Sequence, residues 1–148
     1  MAKTTAAVDL GNEAAQLRMS VVRLSRLLRQ QADTGLTPTM LSALATVGKH
    51  GPLTLGALAE RERIAPPTVT QTIARLVERG FVVRRPDPDD GRVTLVAVTS
   101  AGKELLASSR RRKTEWLVDR LAALDGDRRQ KLLDALDVLE SLSAPEPA

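Results

Sequence analysis

The chain has 148 residues, a formal charge of +4, no cysteine, no tyrosine, and one residue each of histidine, phenylalanine and tryptophan. Without cysteine, disulfides, thiol redox sensing and cysteine-ligated zinc are excluded, and the lone His50 argues against both a transition-metal site and a Ser-His-Asp triad. The length suits one domain with extensions and an aliphatic core, and the basic balance is a weak pointer to a polyanionic partner.

A first helix is predicted from about Val8 to Ala32, with Leu17, Val21, Leu24 and Leu28 on one stripe and Arg18, Arg26 and Arg29 off it. That stripe is long for a small domain, and a partner chain could use part of it. Met1 to Leu10 holds no apolar run of the signal-peptide kind, and no run reaches membrane-spanning length, so a cytoplasmic protein without membrane contact is expected. Thr37-Pro38 starts a second helix, a capping hydroxyl followed by proline in the first turn. Met40, Leu41, Leu44 and Val47 share one face, and Gly48 to Pro52 ends the helix, placing His50 among its last carbonyls.

Leu53-Thr54 has the makings of a short strand, with Thr54 capping a short third helix, about Leu55 to Glu62, whose Leu55, Leu58 and Ala59 point inward. Arg63-Ile64-Ala65 forms a turn. Pro66-Pro67 opens a fourth helix that ends at Arg79-Gly80, with Val69, Ile73, Leu76 and Val77 as its buried face. Phe81 to Arg85 and Val93 to Val98 are β-branched runs on either side of an Asp90-Gly91 dipeptide, the signature of a hairpin. Thr99 or Ser100 caps a long helix, about Ala101 to Leu124, with Leu117, Leu121 and Leu124 on its distal stripe. Asp125 caps a last helix, about Asp127 to Ser143, carrying Leu132, Leu136 and Leu139, and a Pro-containing tail runs from Ser143 to Ala148.

A short helix, a turn, a second helix and a basic hairpin in this order make a winged helix-turn-helix, and the fold class is mainly α with a small β wing. In such a unit the second helix presents its N-terminal residues to base edges. With Val69, Ile73 and Leu76 inward, Pro67, Thr68, Thr70, Gln71 and Arg75 face outward. Gln71 suits adenine N6 and N7, threonines offer donor, acceptor or methyl contacts, and Arg75 reaches a base or phosphate. Helix amides near Pro66 and Pro67 are expected to favour phosphate. Arg92 stands on the hairpin tip, where a protruding arginine suits the strongly negative minor groove, and Asp90 two residues away can hold it extended. Taken alone, each of these residues is an ordinary solvated side chain, and an Arg92 ion pair on the surface stabilises little; the arrangement carries the argument. The run Asp87, Asp89 and Asp90 lacks the distal glutamate of a calcium loop. Arg110-Arg111-Arg112-Lys113 reads as a solvated face, and Trp116 as core or dimer packing.

These pieces resemble the MarR/SlyA-type transcriptional regulators over roughly Val8 to Leu142. Asp90-Gly91-Arg92 with the closing Val98-Thr99 is similar to the family's wing signature, and Thr68 to Val82 resembles its recognition helix and following strand. The resemblance implies a homodimer on a pseudo-palindromic double-stranded DNA operator. Residues 1–36 and 100–148 would be dimerisation helices flanking a DNA-binding region at 37–99, with the helix-turn-helix at about 55–79 and the wing at 81–99, all one MarR-type domain. It further implies repression relieved by a small, often aromatic or phenolic anion bound near the junction of the two regions, with Arg92 in the minor groove and Asp90 supporting it. No cofactor, metal or enzymatic activity is expected. A weakly specific architectural protein of the nucleoid is the alternative that the same basic wing would serve.

Overall fold

The computed structural model describes residues 2–143, with side chains placed from residue 9 onward. Among the described residues seven helices and one hairpin follow in order: α1 (Ala2–Gln31), α2 (Pro38–His50), α3 (Leu55–Glu62), α4 (Pro66–Glu78), β1 (Val82–Pro86), β2 (Thr94–Val98), α5 (Ser100–Ala122), α6 (Gly126–Asp134) and α7 (Leu136–Ser143). The tail beyond Ser143 lies outside the described residues.

The capping residues read from the sequence act as expected. Thr37, Thr54, Thr99 and Asp125 have extended backbones and accept a hydrogen bond from the amide three residues on. The core is the winged unit itself. Met40, Ala43, Leu44 and Val47 of α2 meet Leu58 of α3, Val69, Ile73 and Leu76 of α4, and Val82 and Val96 of the hairpin. Nine of the side chains in this cluster are at most 1% exposed. Burying each branched aliphatic there contributes roughly 1.5–3 kcal/mol.

Several boundaries depart from the expected ones. Helix α1 starts at Ala2 rather than Val8; the added stretch includes Ala2, Ala6 and Ala7, and alanine is the strongest helix former. Gly48 lies inside α2, which runs on to an exposed His50. Val77, expected on the buried face of α4, is 38% exposed; the four-residue buried set is completed instead by Thr72. The strands sit one residue later than expected at their starts, with Val82 opposite Val98 and Pro86 opposite Thr94. The last helix divides at Ala135, whose amide bonds Leu132 three residues back, tightening the chain before α7 resumes.

Two helices end in the same backbone device with different residues. After α4, Gly80 takes φ +76, its amide bonds Val77 and the Phe81 amide bonds Leu76. After α3 the left-handed position is held by Arg63, at φ 53, with the Ile64 amide bonded to Ala59. That residue sets the turn of the helix-turn-helix. The C-terminus of α3 is also tied to α2: Ser42 Oγ donates to Glu62 at 2.6 Å, and Thr46 Oγ1 donates to the other carboxylate oxygen.

Leu53, the expected short strand, forms a single bridge. Its amide and carbonyl pair with those of Val96 at 3.0 and 2.7 Å, which stitches the α2–α3 connection onto β2.

Candidate nucleic-acid interface

Helix α4 carries the first half of the site. Its buried residues recur at Val69, Thr72, Ile73 and Leu76, which turns Pro67, Thr68, Thr70, Gln71 and Arg75 outward together; all five are exposed. Pro67, Thr68, Thr70 and Gln71 border one shallow surface depression with Ala74. The Thr70 hydroxyl donates to the Pro66 carbonyl at 3.0 Å, so it offers partners its lone pairs and methyl group rather than its proton. Gln71 and Arg75 stand four residues apart on the same face, and neither side chain makes a hydrogen bond among the described residues.

One expectation fails at the N-terminus of this helix. Pro66 and Pro67 have no amide proton, and Thr68, the next residue, gives its own to the Ala65 carbonyl at 2.9 Å. The amides that make other helix starts attractive to phosphate are therefore missing or occupied here. Ala65 supplies no side-chain cap either.

The wing carries the second half. The hairpin expected around Asp90-Gly91 is formed, with a seven-residue loop, residues 87–93, between the paired strands. Gly91 does not adopt the positive φ that a two-residue hairpin turn would require. Carboxylates organise the loop in its place. Asp87 Oδ1 accepts from the Asp89 amide at 2.8 Å, and Asp90 Oδ1 accepts from the Arg92 amide at 3.1 Å. The Asp90 carbonyl accepts from the Val93 amide, and Asp87 closes the loop by donating to Val93.

Asp90 also grips the arginine side chain. Nε of Arg92 donates to Oδ1 at 3.1 Å and a terminal nitrogen donates to Oδ2 at 3.3 Å, a two-pronged pair that fixes the direction of the guanidinium. Those Arg92 hydrogen bonds, side chain first and backbone second, hold the Asp90 carboxyl below its ordinary value. The Arg92 side chain is nevertheless 92% exposed. Arg92 and Asp90 are thus brought together, while no hydrogen bond or ion pair among the described residues links them to α4.

Thr99 joins the two halves to the rest of the chain. Its hydroxyl donates to the Gly80 carbonyl at 2.7 Å and accepts from the Gly102 amide at 3.1 Å, and its own amide bonds Phe81. One residue therefore secures the end of α4, the start of β1 and the cap of α5.

Sequence reasoning passed over Arg84 and Arg85. Both are exposed, on successive and hence opposite positions of β1, and they extend the positive charge of the wing toward its base. Their place on the first wing strand was the available signal. A groove between α2 and α5, of about 360 Å³, is lined by Leu41, Lys49, Lys103, Leu106, Arg110 and Lys113 among others; two of the four basic residues expected to be a solvated face thus border a concavity. Trp116 is half-buried under the Arg120 guanidinium, 3.5 Å from its ring centroid, outside that groove. Among the described residues no group of histidine and acidic side chains is arranged to hold a metal ion. No described helix is long and apolar enough to cross a membrane.

A sequence model of the MarR family matches residues 36–94, the segment from the α2 start to the wing. An HTH-type transcriptional regulator of Mycobacterium leprae is 44% identical over 135 residues, which cover 90% of this chain and 94% of that protein. The HTH-type transcriptional repressor MdtR of Bacillus subtilis is 33% identical over 76 residues, 51% of this chain and 49% of the repressor. A solved transcriptional regulator from Pseudomonas aeruginosa, 32% identical, superposes with a TM-score of 0.79 over 91% of this chain and 96% of its own. With a winged helix-turn-helix in place and relatives aligned along nearly its whole length, the chain belongs to the MarR family of transcriptional regulators.

Proposed function

We propose that the protein is a homodimeric repressor that binds a pseudo-palindromic operator and is released from it by a small anionic effector. The observation that carries the reading is the pairing of an outward face on α4 with an arginine held off the wing tip by its own carboxylate. In this reading Thr68, Thr70, Gln71 and Arg75 read the major groove, Pro67 packs against the DNA backbone or a thymine methyl, and Arg92, braced by Asp90, enters the minor groove. Arg84, Arg85 and the lysines add phosphate contacts, so affinity falls steeply with salt.

Dimerisation is supported by the apolar side chains left outside the core. Leu17, Val21 and Leu24 of α1 and Leu132, Leu136 and Val138 of α6 and α7 are all exposed, and a single chain has no use for such stripes at both ends. Residues 1–36 and 100–148 would pair with their copies, leaving 37–99 to contact DNA. Two recognition helices related by a two-fold axis read half-sites about 10 bp apart. Repression is supported by relatives named as repressors. The α2–α5 groove, where the winged unit meets the long helix, is a suitable effector site, and an effector acts by preferring the dimer spacing that DNA does not accept.

Selection of binding sites from random duplex DNA at two salt concentrations tests the reading. A two-fold symmetric motif is the expected result. Salt-sensitive retention of all sequences alike would instead make the protein an architectural component of the nucleoid.

A further inference from the structure

We propose that the α2–α5 groove recognises a small anion carrying two or more negative charges, and that the charged end of this anion reaches Arg85 at the foot of the wing. The inference rests on the effector reading above and assigns it a ligand class and a route to the DNA-binding surface. The groove places Lys49, Lys103, Arg110 and Lys113 around an apolar floor of Leu41 and Leu106. None of its described lining residues is acidic, and none of these four cations is paired with a carboxylate among the described residues. Like charges gathered in a concavity repel one another and raise the local concentration of counter-ions. A single carboxylate would neutralise only one of them. A multivalent anion offsets several at once, and its aliphatic part lies on the leucines. The lining offers no aromatic face on which a ring could stack, so a benzoate-like ligand gains only generic apolar contact.

The route to the wing is also concave. A smaller cleft of about 250 Å³, lined by Gly48, Pro52, Arg85 and Lys103 among others, shares Gly48 and Lys103 with the first. Gly48 lies at the junction of the two, and a Cβ there would stand 3.0 Å from Leu106 Cδ1, crowding the groove floor. Arg85 faces this cleft from β1, so Arg84, the next position along the strand, belongs to the opposite face. An anion bridging Lys103 and Arg85 removes a wing cation that would otherwise meet a DNA phosphate, and effector and DNA thereby compete for one guanidinium.

Calorimetric titration of the full chain without DNA, using citrate, pyrophosphate and benzoate at fixed ionic strength, tests this. Citrate or pyrophosphate should saturate one site per chain about ten-fold or more tighter than benzoate, and which of the two binds better separates a carboxylate from a phosphate ligand. Lys103→Gln should weaken that binding about ten-fold and Arg85→Gln about three-fold, while Arg111→Gln, an exposed change on α5 outside the groove, should leave it within about two-fold. Equal affinity for benzoate, equal effects of Lys103→Gln and Arg111→Gln, or no saturable heat would overturn the proposal. Operator binding measured without any anion judges the repressor reading separately. DNA binding without anion uptake refutes the ligand proposal alone, and anion uptake without DNA binding refutes only the repressor.

Discussion

Arg92 shows how an exposed side chain acquires a direction. Its guanidinium is fixed at two points by Asp90, whose carboxylate is itself positioned by the Arg92 backbone amide. Arg92→Ala is expected to weaken operator binding by about 1–3 kcal/mol if the groove contact is made, read by fluorescence anisotropy. Because the folded pKa of Asp90 is depressed, the ion pair is present above the ordinary carboxylate range and lost as pH falls through the lowered value. An NMR titration should find the Asp90 carboxyl titrating below its ordinary 3.8, and Arg92→Ala should move it back up. Arg63 makes a different case. A left-handed conformation costs a non-glycine residue about 1–2 kcal/mol, partly offset in glycine by greater chain entropy in the unfolded state. Arg63→Gly should therefore raise stability by up to about 1 kcal/mol, with the melting temperature rising by a few degrees; a fall would show that the arginine side chain anchors the turn.

At the level of elements, the joints matter more than the helices they connect. The first turn of α5 lies directly on the backbone of Phe81, and a Cβ at Gly102 would come within 2.3 Å of the Phe81 carbonyl oxygen. Gly102→Ala should destabilise the protein by about 1–3 kcal/mol, by forcing that contact apart, measurable by urea denaturation; no loss would mean that α5 can slide off the hairpin at little cost. Most elements were legible because their physics is local. Thr37, Thr54, Thr99 and Asp125 announce helix starts, and the 3.6-residue spacing of Val69, Ile73 and Leu76 gives the inward face of α4 and hence the outward set from Pro67 to Arg75. What was not legible depends on through-space partners. The wing loop is set by carboxylate-to-amide bonds that composition does not reveal. The occupied Thr68 amide, the α2–α5 concavity and the Leu53–Val96 bridge likewise emerge only when distant segments are brought together.

For the molecule as a whole, burial is uneven. The winged unit encloses its own aliphatic core, whereas α6 and α7 have no buried residue at all. Helices that bury nothing contribute little to a lone chain, so their stability depends on what covers them. Leu136→Asp and Val138→Asp together should shift sedimentation from dimer to monomer and lower operator affinity, while the winged unit keeps its helical signal. A dimer that survives both changes would place the contact away from α7.

The seat of Gly102 on Phe81 has a mechanical consequence. Helix α5 has 23 residues and is therefore about 35 Å long. Its first turn is seated closely on the hairpin, so a tilt about that seat would be magnified along the helix. A tilt of about 5° would displace the far end by about 3 Å over this length, and a side chain at residue 102 would loosen the seat about which it turns. The absence of a side chain at Gly102 thus sets how closely the start of α5 is held to the hairpin, and with it how far the rest of the helix can swing.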